Sequence, residues 1–236
     1  MKKVLHPANE RGYNDIGWLK ANFSFSFAGY YDPAKVHFGA LRVLNDDYIA
    51  PAMGFGMHPH DNMEIITVVS KGALEHKDSM GNVGIIKAGE VQVMSAGTGI
   101  MHSEYNPSKT EETNSFQIWI FPKEKNITPR YDQKSFTGAM VQNELTTLID
   151  GDKTTEALWI NQDSRLSMGN FDAGKQINYK TQYPGSGTYI FVIDGSVEID
   201  GATLNKRDAI GVWDTETFSI NTTTAANILI IEVPMF

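Results

Sequence analysis

Short runs of β-branched and aromatic residues, each closed by Gly, Asp or Asn, recur along almost the whole chain. They include Phe23 to Phe27, Glu64 to Val69, Gly84 to Ile86, Val91 to Met94 and Phe116 to Phe121 in the first half. Tyr189 to Ile193, Val197 to Ile199, Ala209 to Trp213 and Ile228 to Val233 follow in the second. Runs of this length and chemistry read as strands, and the three- and four-residue apolar spacing of a helix is scarce. In Phe23-Ser24-Phe25-Ser26-Phe27 the alternation sets three rings on one face and two hydroxyls on the other. Many short strands at near-regular spacing predict an all-β sandwich or barrel. With 41% hydrophobic and 11% aromatic residues, the 236-residue chain can bury such a core, which excludes a disordered, collagenous or coiled-coil protein.

The pattern repeats. Ile65 to Ala73 leads through a turn to Ile86 to Val91, and Tyr189 to Val197 leads likewise to Leu204 to Ile210. Each reads as apolar strand, Gly turn, strand, polar turn, strand, so two similar tandem β-barrels are expected. Residues 1–130 would form the first and 131–236 the second. Asn126 to Gly138 would connect them, with the chain's end packing back on the first.

The net charge of -8 and the lack of a basic cluster argue against direct binding of nucleic acid. Met1 to Pro7 lacks the apolar run of a signal peptide, and no stretch approaches the roughly 18 apolar residues of a membrane span. A soluble, cytoplasmic protein without membrane contact is therefore expected.

Cysteine is absent, so any metal must be held by imidazoles and carboxylates, and there are 6 histidines. In Met57-His58-Pro59-His60 and in His102-Ser103-Glu104 the potential ligands stand at i and i+2. On a strand that spacing points both side chains to one face. Three imidazoles and a carboxylate from two neighbouring strands can hold a first-row divalent metal, although exposed histidines on polar strands have the same spacing. Glu64 would share the face of His60 in a straight strand, there either to orient its N–H or to stand as an ordinary exposed carboxylate. His76 reads as a solvated hairpin-tip residue beside Ser79-Met80-Gly81-Asn82, His37 as a strand-end residue and His6 as a terminal one. No histidine lies beyond residue 102, and Gln182 and Pro184 stand near the positions matching His58 and His60. The second barrel is thus expected to be bare of metal.

His58-Pro59-His60-Asp61-Asn62-Met63-Glu64 and the stretch Gly89 to Glu104 resemble the two signature stretches of the pirin family. So do Gly17-Trp18-Leu19, Phe25-Ser26-Phe27, Tyr30-Tyr31-Asp32-Pro33, Leu41 to Asp47 and Phe116 to Ile120. The resemblance implies an all-β bicupin with one metal in its N-terminal barrel, held by His58, His60, His102 and Glu104. It further implies iron, with manganese, nickel, cobalt, copper and zinc as alternatives. The implied activity, as in bacterial pirin-like quercetin 2,3-dioxygenases, is opening of a flavonol ring with O2 and release of carbon monoxide. One departure is visible: Phe23-Ser24 stands where the family usually has His-Thr.

In that reading Glu104 is the catalytic residue that takes the proton of the flavonol 3-hydroxyl. Phe25, Phe27, Met53, Phe55 and Met57 would wall the substrate pocket or belong to plain core. The alternative is a metal-responsive regulator that turns nothing over and binds a protein partner; a further one is a structural zinc protein. An open, water-accessible site favours catalysis and a sealed one regulation. A monomer is expected.

Overall fold

The computed structural model describes all 236 residues and contains 22 strands with a single short 3-10 turn, Ala8–Glu10. Two sheets of seven strands and two of four build two barrels. In the first barrel the large sheet runs in the order Arg130–Ser135, Glu90–Ser95, Glu64–Lys71, Thr113–Ile120, Leu41–Ile49, Leu19–Phe23, Gly12–Asp15. Its small sheet has Gly54–His60, Ile100–Tyr105, Ala73–Asp78 and Val83–Lys87. In the second barrel the large sheet centres on Ser186–Asp194 and Ala226–Pro234, and the small sheet comprises Gln176–Lys180, Thr217–Thr222, Val197–Ile199 and Ala202–Leu204. This is the bicupin arrangement. No helix is long and apolar enough to cross a membrane.

Hydrogen bonding does not follow the division at residue 130. The first strand, Lys2–His6, pairs with Ala209–Trp213 of the second barrel, while Arg130–Ser135 pairs with Glu90–Ser95 of the first. Both are added through backbone bonds to an edge of a sheet, and a strand's own side-chain pattern does not specify which edge it will cover. The chain's end lies against the first half: Ala40 N donates to Pro234 O at 2.9 Å, and the Phe236 ring lies 5.5 Å from that of His37. Gly39 makes this approach feasible, because its φ is +50° and a Cβ there would stand 2.2 Å from Pro234 O.

The largest core, 25 buried residues, lies mainly where the two seven-stranded sheets meet. Leu44, Ile66, Val68, Phe116 and Ile118 of the first barrel pack with Tyr189, Phe191, Leu229, Ile231 and Val233 of the second. That is why Ile65 to Val69 and Tyr189 to Ile193 are almost unbroken apolar runs: each strand buries one face in its own barrel and the other between barrels. Burying each such side chain contributes about 1.5–3 kcal/mol.

The two barrel interiors differ in chemistry. The second is filled by an apolar cluster of 14 residues, among them Ile190, Val192, Ile210, Ile228 and Ile230. The first has smaller clusters of 7 and 4 residues, together with a polar row across its large sheet. Gln92 opposes Thr67, Thr67 opposes Gln117, and Gln117 opposes Asn45, so four polar side chains stand abreast on neighbouring strands. Buried polar groups of this kind cost stability unless something satisfies them.

Candidate metal centre

His58 and His60 project from the same face of Gly54–His60, as period-two geometry requires. In the neighbouring strand Ile100–Tyr105, His102 sits directly opposite His58. Ligand atoms of His58, His60 and His102 all lie within 4.8 Å of one another, and the ring centroids of His58 and His102 are 4.4 Å apart. Between His102 and Glu104 the register slips: these residues pair with His58 and Phe55, leaving one extra residue on the partner strand. Such a bulge bends the strand and re-aims its side chains next to a site.

The nitrogens are prepared for a cation. Nδ1 of His58 lies 2.8 Å from Gly56 O; donating its proton there leaves Nε2 with a free lone pair. His102 is buried with neither ring nitrogen hydrogen-bonded, a costly state for an imidazole that a metal ion would relieve. Burial, then repulsion from the other imidazoles, pushes the pKa of His60 down to about 4 and that of His102 to about 3. Both rings are therefore neutral at physiological pH, the form that binds metals. The donor set fits a divalent ion.

Glu104 is buried beside this group but is not one of the three mutually close ligands. Its carboxylate accepts from Gln117 Nε2 at 3.0 and 3.1 Å and from Thr67 Oγ1 at 3.3 Å. Burial pushes its pKa up, opposed by the Gln117 hydrogen bonds and the nearby histidines. Thr67 and Gln117 were not among the expected site residues. Their signal was nonetheless present: each is a polar residue flanked on both sides by apolar ones, Thr67 by Ile66 and Val68 and Gln117 by Phe116 and Ile118.

The other expectations divide. His76 is no solvated turn residue: it is fully buried on Ala73–Asp78, opposite Glu104. Its ring stacks on Tyr131 at 4.7 Å and lies 5.2 Å from His102, and neither nitrogen is hydrogen-bonded. The strand runs on to Asp78, which accepts from Met80 N and Asn82 N and so makes the turn; His76 is in phase with buried Leu74 and Asp78. His6, expected to be a terminal residue, is buried with Nδ1 2.9 Å from the Tyr189 hydroxyl, whereas His37 is exposed, with Nδ1 2.9 Å from Gly39 O. Glu64 orients no histidine. It accepts from Ser95 Oγ at 2.7 Å and Asn161 N at 3.1 Å, because the chain bends at Asn62 (φ +45°) and carries Glu64 into the other sheet.

The triad and Glu104 open into a cavity of about 460 Å³, large enough for a drug-sized aromatic molecule. Phe27 and Phe55 line it as expected, joined by Trp18 and Trp119, which are not among the expected wall residues. Trp18 packs edge-on to Phe55 at 5.3 Å and Phe27 to Trp119 at 5.4 Å. Phe25 belongs to the core instead, 5.4 Å from Tyr189, because the strand ends at Phe23 and the following residues no longer alternate on one face. Met53 and Met57 are exposed and do not line the cavity. Asn45 and Asp47 line its inner side, and burial, with Glu104 and Asp46 adding, pushes Asp47 up to about 8. A second cleft, about 490 Å³ beside Lys123, Arg130 and Trp159, contains no histidine.

In the second barrel Glu232 is buried and accepts from Tyr179 Oη, Gln182 N and Tyr183 N. The Gln182 region is thus a closed hydrogen-bonded turn.

Comparison with known proteins agrees with this architecture. Residues 4–120 match the pirin family and residues 148–233 match the quercetinase C-terminal cupin domain. The chain is 44% identical over 230 residues to a quercetin 2,3-dioxygenase of Escherichia coli K12, covering 98% of each. It is 43% identical over 227 residues to a pirin-like protein of Caulobacter vibrioides, covering 96% of this chain and 97% of the other. The bacterial pirin YhhW of Escherichia coli, solved in complex with nickel(II), superposes with a TM-score of 0.94 at 41% identity, covering 100% of both chains.

Proposed function

The chain belongs to the pirin family, and on that premise we propose that it is a metal-dependent dioxygenase that opens a flavonol ring with O2. The observation that carries the reading is the cluster of three neutral imidazoles at the base of an open, aromatic-walled cavity. A sealed site would favour the regulatory alternative; this one has room for a substrate.

His58, His60 and His102 would hold the ion, with Glu104 as fourth ligand, and nickel in the E. coli relative supports a divalent metal. Iron is the metal we expect in this chain. When bound, the ion supplies positive charge that favours the flavonol as its 3-oxyanion and draws substrate and O2 to one place.

The chain's own residues do the rest. Trp18, Phe27, Phe55 and Trp119 bind the flat rings and exclude water. Glu104, which lines the cavity beside the imidazoles, accepts the 3-hydroxyl proton. Gln117 and Thr67 hold the carboxylate in position while it does so.

The test is O2 uptake with quercetin by protein loaded with iron, beside metal-free protein. Turnover that depends on metal and is lost in Glu104→Gln with metal still bound is expected. Absence of uptake with the metal site filled would reject the dioxygenase reading.

A further inference from the structure

The polar row that crosses the first barrel is engaged at its centre and unpartnered at both ends, Gln92 and Asn45, of which the Asn45 end lines the cavity. Thr67 and Gln117 are engaged with Glu104. One strand further on, Asn45 stands opposite Gln117, and Asp47 stands two residues along the same strand. Both side chains are buried, at 3% and 6% exposure, both line the cavity, and Oδ1 of each has no hydrogen-bond partner. Buried acceptors without donors are rare in folded proteins.

These acceptors are also held in place. Asp46, between them and facing the opposite way, lies 3.0 Å from Arg207 Nε of the second barrel and 3.5 Å from Arg11. Asn114 Nδ2 donates to Asp46 Oδ1 and to the Asp47 carbonyl. The strand is clamped from behind, so Asn45 and Asp47 present fixed rather than adaptable oxygens.

Resting on the flavonol reading above, we propose that Asn45 and Asp47 are specificity-determining residues that accept hydrogen bonds from phenolic hydroxyls remote from the reacting 3-oxygen. Neighbouring strands lie about 5 Å apart. Asn45 is therefore one strand spacing from the residue that holds Glu104, within the length of a fused bicyclic ring. A phenol hydroxyl can donate to the Asn45 carbonyl and to Asp47 in either protonation state. The pocket would thus prefer polyhydroxylated flavonols and reject bare ones, because an analogue without those hydroxyls leaves both acceptors buried and unpaired.

The experiment measures binding, not turnover. Nickel-loaded protein under argon is titrated with quercetin and with 3-hydroxyflavone, which has no hydroxyl beyond the 3-position, following quenching of tryptophan fluorescence. Quercetin is expected to bind at least about tenfold more tightly to the unmodified protein. Asp47→Leu and Asn45→Leu should each lower that ratio towards one, while Asp47→Asn, which keeps a carbonyl acceptor, should hold it within about threefold. Equal affinity for the two compounds in the unmodified protein overturns the proposal whether or not the leucine variants fold. So does a ratio that survives both leucine substitutions. In either case the dioxygenase reading stands, whereas failure of both compounds to bind rejects it as well.

Discussion

Gln117 Nε2 donates to both carboxylate oxygens of Glu104, at 3.0 and 3.1 Å, across the interior of the first barrel. The two residues come from different sheets, so one amide fixes the carboxylate with respect to the metal-binding strands. Groups that orient a ligand from outside typically matter about 10- to 100-fold. Gln117→Leu is therefore expected to lower kcat for flavonol oxidation by that order with a smaller change in KM. Steady-state O2 uptake checks this, and an unchanged kcat would show that Glu104 needs no such support.

Removing one imidazole should uncouple metal from stability. A bound ion stabilises the folded state by mass action, so chelation should lower the Tm of the unmodified protein. His102→Ala takes away the most buried of the three histidines. Its Tm should be the same with and without chelator, and elemental analysis should find it with far less than one metal per chain.

The pH dependence of folding should carry the mark of His6, which sits on the large sheet of the second barrel, outside the proposed metal group. Burial lowers its pKa from 6.5 to about 4, so the folded protein favours the neutral ring. The unfolded chain binds the extra proton first as pH falls. His6 then contributes stability fully above about pH 6.5, and loses it as pH drops towards 4. The loss amounts to about 3 kcal/mol at most. Urea denaturation between pH 7.5 and 4.5 should show a shallower decline for His6→Gln; parallel curves would refute the assignment.

The joint between barrels contains one acid between two bases. Asp46 is buried with Arg11 and Arg207 against it, the latter also stacked over Phe116 at 5.0 Å. Asp46→Asn leaves two largely buried guanidinium groups without a counter-charge, and a loss of about 3–5 kcal/mol is expected. Equilibrium denaturation measures it. A loss below about 1 kcal/mol, the range of an exposed pair, would mean that water screens this joint.

Much of this protein is present in its one-dimensional pattern. Period-two alternation and the Gly and Asn turns are local, so they announce strands; i, i+2 spacing is likewise local, and it placed His58 with His60. The absence of histidine beyond residue 102 already distinguished the two barrels. What the pattern did not contain is which strand lies beside which. Lys2–His6 joins the second barrel rather than the first, and His76 turns inward beside His102, because backbone pairing at a sheet edge depends on the assembled sheet. The same holds within the cavity: Gln117, 13 residues from Glu104 along the chain, reaches it from the opposite sheet, and Asn45 stands beside Gln117 from a distant strand, only because the barrel brings these strands into one register. Local residue chemistry determined that there are strands, barrels and a candidate ligand set. Only tertiary structure decided what surrounds that set, since burial and hydrogen-bond partnership are properties of neighbours that the chain brings together by folding.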